Sequence, residues 1–438
     1  MQLTNFPHRR LIGAAALACA AALIPAGAAA ATSGSPVSPA SPAHPVTAYV
    51  ANGNGTRVTP INTATNRAGT PIVVGSRPGQ IAITPNGKTA YVLAGGSVVP
   101  INTRTGTALK PIKGTAGAGY IAITPNGKTA YVSYCETALI CGVGGTENRL
   151  TPIDTATNTA LKPITWQPGT AWEDSPIVIT PNGKTVYIAS TAGTVTPVST
   201  ATGKAGKPIK LGHEAENGNA YIAITPNGKT VYVTESGPYG PGDTVTPIST
   251  ATNKAGKPIK VGQFPAAIGI TPNGKTVYVA STGSGPTGCI VQADCGPRPD
   301  GARAASSGPA TVTPISTATN KPGKAIKIGP TGSSITLAIT PNSKRAYVLY
   351  DSGKAPYGGY VTPIRTATNT AFRPIAIGSG LNSIAITPNG KTAYVSQDRF
   401  TSKGRSLLGF VIPIRISTNT AFKPILVGHD PGAIVITP

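Results

Sequence analysis

The sequence predicts an all-β protein, a closed β-propeller of four-stranded blades, and three observations support this prediction. A nine-residue stretch, residues 84–92, recurs along the chain with small changes. Each repeat contains four short β-branched segments, and the chain begins and ends at different segments of the repeat. Repeats of this kind bury their apolar faces only by stacking on one another. The further copies of the stretch are residues 124–132, 180–188, 225–233, 271–279, 340–348 and 387–395.

Each repeat is interpreted as four strands, which we name A to D in chain order. In one regular copy they are residues 221–225, 230–234, 244–249 and 258–262. Each segment has strand length, is rich in β-branched residues and is bounded by Gly, Pro, Asn or Asp. Helices are not expected, because Pro and Gly occur too often to leave long uninterrupted segments.

The A–B connection has the sequence Thr-Pro-Asn-Gly-Lys, which is typical of a tight turn. Proline sets φ at the first turn position, and glycine supplies the positive φ that follows. Ser343 replaces this glycine in one copy, so that turn is expected to be strained or to have a different shape. The C–D connection is a longer polar loop, for example residues 250–257.

The two chain ends predict how the repeats close. The first repeat begins at strand B, residues 47–50, and the last one stops at strand A, residues 434–438. Together these strands complete one sheet, so the array becomes a ring without an open edge. Eight A strands and eight B strands predict eight blades, with seven as the alternative. The B strands are marked by Tyr49, Tyr91, Tyr131, Tyr187, Tyr232, Tyr278, Tyr347 and Tyr394.

Every strand C contains a proline. Because proline cannot donate a hydrogen bond to a ladder, it is expected only at sheet edges or bulges. The pattern therefore predicts a bulge, or loss of C–D pairing at that residue, in every blade. The prolines are Pro60, Pro100, Pro152, Pro197, Pro247, Pro314, Pro363 and Pro413.

The repeat resembles a known family. Residues 222–233, with the sequence Ile-Ala-Ile-Thr-Pro-Asn-Gly-Lys-Thr-Val-Tyr-Val, are similar to YVTN-type β-propeller repeats, and the similarity extends over residues 47–438. The resemblance implies a secreted or surface protein of bacterial or archaeal type, and seven blades is the usual number in such families. Related propellers include lactonases, quinone or haem enzymes and non-enzymatic binders, so the resemblance assigns no activity.

The N-terminal residues predict export. Residues 1–31 have a basic Arg9-Arg10 pair, an apolar segment at 11–23 and small residues at 28–30, as in a cleavable signal peptide. A membrane anchor is the alternative, but the apolar segment is short for a span. Residues 32–46 are rich in Ser, Pro and Ala and predict a disordered tether. The domain at 47–438 is thus expected to be secreted or associated with the cell envelope, monomeric and not transmembrane.

Four cysteines follow the predicted signal peptide in two equally spaced pairs. In an exported chain this spacing predicts two local disulfides, Cys135 with Cys141 and Cys289 with Cys295. Zinc is the alternative, and the absence of a nearby histidine argues against it.

The charges are expected to separate between the two ends of the ring. In a propeller the A–B and C–D loops share one face, and the B–C and D–A loops share the other. The formal net charge is +23, and of 14 acidic residues only Asp154 falls outside the B–C and D–A loops. The A–B turns instead carry Lys88, Lys128, Lys184, Lys229, Lys275, Lys344 and Lys391.

A basic face of this kind attracts polyanions through a field that weakens with salt. The predicted partner is an anionic cell-wall polymer or polysaccharide. The alternative is that the copied lysines serve only solubility. Sequence-specific nucleic-acid binding is not expected, because the basic loops lack interleaved aromatic residues. A protein partner could bind the long loops.

One cluster is the candidate ligand site. Adjacent D–A loops bring charged and aromatic residues to the mouth of the central channel, where they could hold a polar ligand or a hard cation. The alternative is that they are solvated loop charges. No cofactor and no histidine-based metal centre are predicted. The cluster consists of Trp172, Glu173, Asp174, His213, Glu214 and Glu216.

The sequence contains no catalytic motif. It lacks a nucleophile elbow, a phosphate-binding glycine loop and a haem-attachment motif. The repeated tyrosines are expected to pack between blades. The prediction is a non-enzymatic binding or surface-associated propeller. The alternative is an enzyme of lactonase or oxidoreductase type with its site at the channel mouth.

Overall fold

The fold is a ring of eight antiparallel sheets. The computed structural model describes residues 45–134, 149–165, 175–190, 193–211, 219–236, 242–283, 308–332, 334–352, 358–400 and 406–438. In these ranges every regular element is a strand, and no helix has the length and apolarity needed to cross a membrane. The predicted propeller is therefore confirmed, with eight blades rather than seven.

Each blade is built from strands A to D, from the inside of the ring to its outer edge. We number the blades 1 to 8 in the chain order of their B strands, so that strand A of blade 1 comes last in the chain. The A strands of blades 2 to 8, followed by that of blade 1, are Ile81–Ile83, Ala118–Ile123, Ile177–Ile179, Asn219–Ile224, Pro265–Ile270, Ser334–Ile339, Leu381–Ile386 and Pro431–Ile436. The B strands of blades 1 to 8 are Thr47–Asn52, Thr89–Ala94, Thr129–Tyr134, Thr185–Ser190, Thr230–Ser236, Thr276–Ser281, Arg345–Asp351 and Thr392–Phe400.

The outer half of each blade contains strand C and a strand D that is usually divided in two. The C strands are Arg57–Asn62, Ser97–Asn102, Arg149–Asp154, Thr194–Ser199, Thr244–Ser249, Ala310–Ser316, Gly359–Arg365 and Ser406–Arg415. The first D segments are Arg67–Ala68, Thr107–Ala108, Thr159–Ala160, Lys254–Ala255, Thr370–Ala371 and Thr420–Ala421. The second D segments are Ile72–Val73, Ile164–Thr165, Ile209–Lys210, Ile259–Lys260, Ile326–Gly329, Ile375–Ala376 and Ile425–Gly428.

The two ends of the described chain close the ring in blade 1. Strand Thr47–Asn52 pairs with strand Pro431–Ile436, and Tyr49 lies opposite Val435. The Thr47 and Thr437 backbones extend this pairing, since the Thr437 N–H donates to the Thr47 carbonyl at 2.9 Å. Around the ring, each A strand contacts the A strand of the next blade, including blade 8 with blade 1 and blade 1 with blade 2. The predicted closure is confirmed.

The hydrophobic core lies in the seams between blades. Each of eight clusters of buried residues combines side chains from two neighbouring blades. Tyr49 and Val58 of blade 1, for example, pack with Ile81 and Val92 of blade 2. A single repeat would leave both faces of its sheet exposed, so the stability of each blade depends on its two neighbours.

The strand-B tyrosines connect neighbouring blades by hydrogen bonds as well as by packing. Six tyrosine hydroxyls donate to an asparagine Oδ1 in the C–D loop of the next blade. Each of these asparagines has a φ of 52° to 56°, in the left-handed region that Gly and Asn adopt more readily than most residues. Asparagine is the one of the two that also supplies an acceptor. The pairs are Tyr91–Asn158, Tyr187–Asn253, Tyr232–Asn320, Tyr278–Asn369, Tyr347–Asn419 and Tyr394–Asn66.

The strand-C prolines interrupt the outer ladder and leave the inner one intact. Each proline lies directly opposite the strand-B tyrosine, as Pro60 lies opposite Tyr49. Each proline carbonyl accepts a hydrogen bond from the D side of the blade; the Gly69 N–H, for example, donates to the Pro60 carbonyl at 2.7 Å. Because carbonyl and nitrogen of one strand residue point to the same side, the missing N–H also faces strand D. In five blades strand D is divided there into two segments, and in blades 2, 4 and 6 only one of the two segments is a strand. The regular C–D ladder is therefore interrupted at the proline, as predicted.

Replacing Asn253 by Gly should weaken the seam between blades 4 and 5. Gly203 already occupies the equivalent loop position in blade 4 with a φ of 64°, so the backbone tolerates the change. Loss of the acceptor for Tyr187 should lower the free energy of unfolding by about 1 kcal/mol, measured by chemical denaturation. Conversely, Gly203→Asn should give Tyr131 an acceptor and raise the stability. If Asn253→Gly has the same effect in a Tyr187→Phe background, the hydrogen bond is not its source.

The tyrosines also predict a loss of stability at high pH. Burial raises the pKa of the Tyr91, Tyr232, Tyr278 and Tyr394 hydroxyls to about 12. The fold thus favours the neutral form, and this contribution is complete below the ordinary tyrosine pKa of about 10. It should be lost as the pH rises from about 10 to about 12, which denaturation midpoints will show. Ionisation of these four hydroxyls near pH 10 in the intact fold, followed residue by residue by NMR, would contradict this.

Candidate functional site

One end of the ring is formed by short, regular loops. In six blades the threonine after strand C donates its N–H to the carbonyl of the lysine in the A–B turn, as Thr103 does to Lys88 at 3.1 Å. The A–B turns and C–D loops therefore lie together, as predicted. We call this end the lysine face, after Lys88, Lys128, Lys184, Lys229, Lys275, Lys344 and Lys391.

Each A–B turn is held by its own side chains. The Asn86 Oδ1 accepts the Thr84 hydroxyl at 2.7 Å and the Lys88 N–H at 3.0 Å. The Gly87 N–H donates to the Thr84 carbonyl at 2.8 Å, and Gly87 has a φ of 69°. The Thr-Pro-Asn-Gly-Lys sequence thus specifies a rigid turn that places its lysine at the same point in every copy.

Ser343 keeps the turn shape of its glycine counterparts. Its φ is 59°, and its N–H donates to the Thr340 carbonyl at 2.8 Å. The predicted strain is present, because a side chain occupies a left-handed conformation, but the predicted change of shape is not. The Ser343 Oγ accepts the N–H of Asn273 in the neighbouring turn at 2.9 Å. This hydrogen bond between blades offsets part of the strain.

The seven A–B turns form a collar around the axis of the ring, with blade 1, whose strands A and B come from opposite ends of the chain, as its one gap. The turn glycines pack against the proline of the preceding turn; a Cβ on Gly127 would lie 3.2 Å from Pro85 Cδ, and one on Gly228 would lie 3.1 Å from Pro181 Cδ. Because strand A is the innermost strand, these turns surround the mouth of the channel. The collar therefore arranges the seven lysines in a ring rather than scattering them over the surface.

The lysine face has almost no compensating negative charge. All seven turn lysines are exposed, as are Lys204, Lys207, Lys254, Lys257, Lys321, Lys324 and Arg373 of the C–D loops. Asp154 is the one acidic residue in these loops, and its Oδ1 accepts the N–H groups of Ala156 and Thr157. In the described part of the chain the one ion pair joins Lys260 to Asp243 at 3.4 Å, next to strand C at the opposite end of the ring.

Two phenylalanines of this face were not anticipated from the sequence. Phe372 and Phe422 follow the first D segment of blades 7 and 8, and arginine side chains stack on both rings. The expectation that the basic loops lack aromatic residues is therefore wrong for these two blades. The signal was present in the two loop sequences Asn-Thr-Ala-Phe-Arg-Pro and Asn-Thr-Ala-Phe-Lys-Pro.

The predicted channel-mouth cluster lies outside the described residues. Trp172, Glu173 and Asp174 fall in 166–174, and His213, Glu214 and Glu216 fall in 212–218. The four predicted disulfide cysteines, Cys135, Cys141, Cys289 and Cys295, also fall outside the described ranges, as do the predicted leader and residues 32–44 of the tether. These assignments stay predictions.

The described acids of the long-loop face, which the B–C and D–A loops form, contact neighbouring chain segments. The Asp351 Oδ2 accepts the N–H groups of Gly380 and Leu381 in blade 8, at 2.6 and 3.0 Å. The Glu235 Oε1 accepts the Thr246 hydroxyl, and burial raises the pKa of Asp430. Within the ranges that the structure covers, no three His, Cys, Asp or Glu residues come together as a metal site. The Asp351 and Glu235 carboxylates therefore hold neighbouring chain segments together.

The comparisons with known proteins agree on the fold alone. No protein-family model matches the sequence, and no curated protein matches it. Dihydro-heme d1 dehydrogenase NirN superposes with a TM-score of 0.64 at 13% identity, over 89% of this chain and 74% of that one. A protein of unknown function from Desulfotomaculum acetoxidans gives 0.54 at 16% identity, over 89% and 98%. Hydrazine synthase from Kuenenia stuttgartiensis gives 0.51 at 17% identity, over 80% and 94%. At these identities the similarity concerns architecture and does not extend to chemistry.

Proposed function

We propose that this protein is a secreted, YVTN-type binding module that attaches through its lysine face to an anionic polymer of the cell envelope, either a cell-wall polymer or a polysaccharide. The observation that supports this most directly is the collar of seven exposed lysines, accompanied by one acidic residue in all the loops of that face. No catalytic group is required for this function.

A ring of lysines suits a polymer better than a small ion. An exposed ion pair contributes about 0.2–1 kcal/mol of free energy, so a single lysine would bind a small anion only weakly. A polyanion that contacts several lysines at once gains from each contact, because later contacts form within an already bound chain. The lysines belong to rigid turns that contact one another, so few backbone degrees of freedom are lost on binding.

The opposite end of the ring would then face away from the polymer. The B–C and D–A loops carry the insertions, both cysteine pairs and all acidic residues except Asp154. This long-loop face would be free to bind a second ligand or a protein. The predicted contacts there are Trp172, Glu173, Asp174, His213, Glu214 and Glu216.

The proposal predicts that polyanions bind in a salt-dependent manner and that the lysines of the collar, rather than lysines elsewhere, determine the affinity. Polygalacturonate and poly(glycerol phosphate) serve as probes, at salt concentrations from about 50 to about 200 mM. The fourfold variant K128Q/K184Q/K229Q/K275Q removes adjacent lysines of the collar. If each lysine neutralises one charge of a flexible polyanion, the slope of log affinity against log salt should fall by about 3.

The control removes the same number of charges elsewhere. K113Q/K210Q/K260Q/K327Q changes four exposed lysines at the outer edge of the ring. Lys210, Lys260 and Lys327 lie in second D segments, and Lys113 follows Ile112, which donates its N–H to strand C of blade 2. This variant should bind nearly as the unmodified protein does. Equal weakening by both variants would mean that net charge alone controls binding, and binding that ignores salt would refute the electrostatic attachment.

A further inference from the structure

Blades 7 and 8 differ from the other blades at two positions of the lysine face. Their strands C end in Arg365 and Arg415, and Phe372 and Phe422 follow their first D segments. At the first position the other blades have Asn62, Asn102, Asp154, Ser199, Ser249 and Ser316. At the second they have Gly69, Leu109, Leu161, Gly206, Gly256 and Gly323. Blades 7 and 8, which are adjacent, therefore share an arginine and a phenylalanine that the other blades lack at these positions.

The arginines stack on the phenylalanine rings. The Arg365 Cζ lies 5.3 Å from the centroid of Phe372, and the Arg415 Cζ lies 4.9 Å from that of Phe422. Arg345 also lies over Phe372, at 5.0 Å. Its Nη1 donates to the Ile416 carbonyl at 2.9 Å and to Asn419 Oδ1 at 3.0 Å, which fixes it between the two blades. The two phenylalanines thus hold a set of guanidinium groups in place.

Stacking leaves the hydrogen-bonding edges of Arg365 and Arg415 unused. Both side chains are exposed, and neither guanidinium donates a hydrogen bond to another described residue. The A–B and C–D loops of blades 7 and 8 contain no acidic residue. A guanidinium whose plane is fixed by an aromatic ring can donate two parallel N–H bonds to one oxyanion, which a lysine cannot do.

We propose that Arg345, Arg365, Arg415, Phe372 and Phe422 form an arginine–phenylalanine patch that recognises the repeating oxyanion of the polymer, a carboxylate or a phosphodiester. Arg365 and Arg415 donate the bidentate hydrogen bonds, and Arg345 with the two rings positions them. This inference rests on the proposed function, because it concerns the same face. The lysine collar attracts any polyanion, whereas the patch selects groups that accept two hydrogen bonds. Nucleic acid fits less well, since the guanidinium groups occupy the ring surfaces on which bases would stack.

The test replaces arginine without changing the charge. R365K/R415K keeps both positive charges and removes the fixed donor pairs, so the affinity for its preferred probe should fall about tenfold. Polygalacturonate and poly(glycerol phosphate) are the two probes, and the one more affected identifies a carboxylate or a phosphodiester polymer. F372L/F422L should weaken binding as well, and its fold should persist because Leu109 and Leu161 occupy the equivalent sites. R57K/R77K, on the long-loop face, is the matched control and should change nothing.

Each other outcome has a distinct meaning. If R365K/R415K binds as tightly as the unmodified protein while the fourfold collar variant binds weakly, the patch is wrong and the proposed function stands. If the unmodified protein binds neither probe, both proposals are wrong. Tighter binding to single-stranded oligo(dT) than to either probe, lost in R365K/R415K, would overturn the assignment of the patch to an envelope polymer.

Discussion

The pairing of strand Thr47–Asn52 with strand Pro431–Ile436 is the constraint on which the rest of the structure depends. It joins residues from opposite ends of the chain in one sheet, and the seam between this sheet and blade 8 carries the Tyr394–Asn66 hydrogen bond. Without it, blades 1 and 8 would each lose a packing partner and expose an apolar face. The antiparallel order of the strands in each blade places the A–B turns and C–D loops at one end. Closure then arranges these ends around one axis.

Copying one structural unit has a chemical consequence. Each repeat uses a Thr-Pro-Asn-Gly-Lys turn because its side chains and its glycine stabilise a tight connection between strands A and B. The lysine comes with the turn, and closure brings the copies around one axis. A residue that contributes little in a single repeat thereby becomes part of a ring of positive charge. The blades that depart from the pattern, 7 and 8, are then the places where more selective contacts are expected.

Much of the fold follows from short-range patterns in the sequence. The number of strand-B tyrosines predicted the number of blades. The chain starts at strand B and ends at strand A, which predicted closure, and the strand-C prolines predicted the interrupted outer ladder. Each of these features can be recognised within one repeat or by counting the repeats. The hydrogen-bond partner of each tyrosine was harder to predict from the sequence, because it lies in the next blade. Asn253, for example, follows Tyr187 by 66 residues.

The proposed binding surface was predictable only in part, and for a physical reason. The face of each lysine follows from its position in the repeat, so the collar could be deduced. Stacking of Arg345 on Phe372 depends on how the turn of blade 7 approaches the outer strand of the same blade, which the sequence pattern does not encode. Likewise, the strain at Ser343 is offset by Asn273 of another blade, 70 residues away. Such contacts depend on distances within a folded blade or between neighbouring blades, which the repeat pattern does not give.

The most direct test of this account is a disulfide across the closing pair. Ala48 and Ile436 lie directly opposite each other, at a separation that suits a disulfide. Peptide mapping of oxidised A48C/I436C should identify an intramolecular bond between these positions, and the thermal midpoint should rise. The control A48C/I224C places the second cysteine in strand A of blade 5 and should not crosslink. Free thiols in A48C/I436C, or a bond formed only between molecules, would contradict the closed ring and the two faces that it defines.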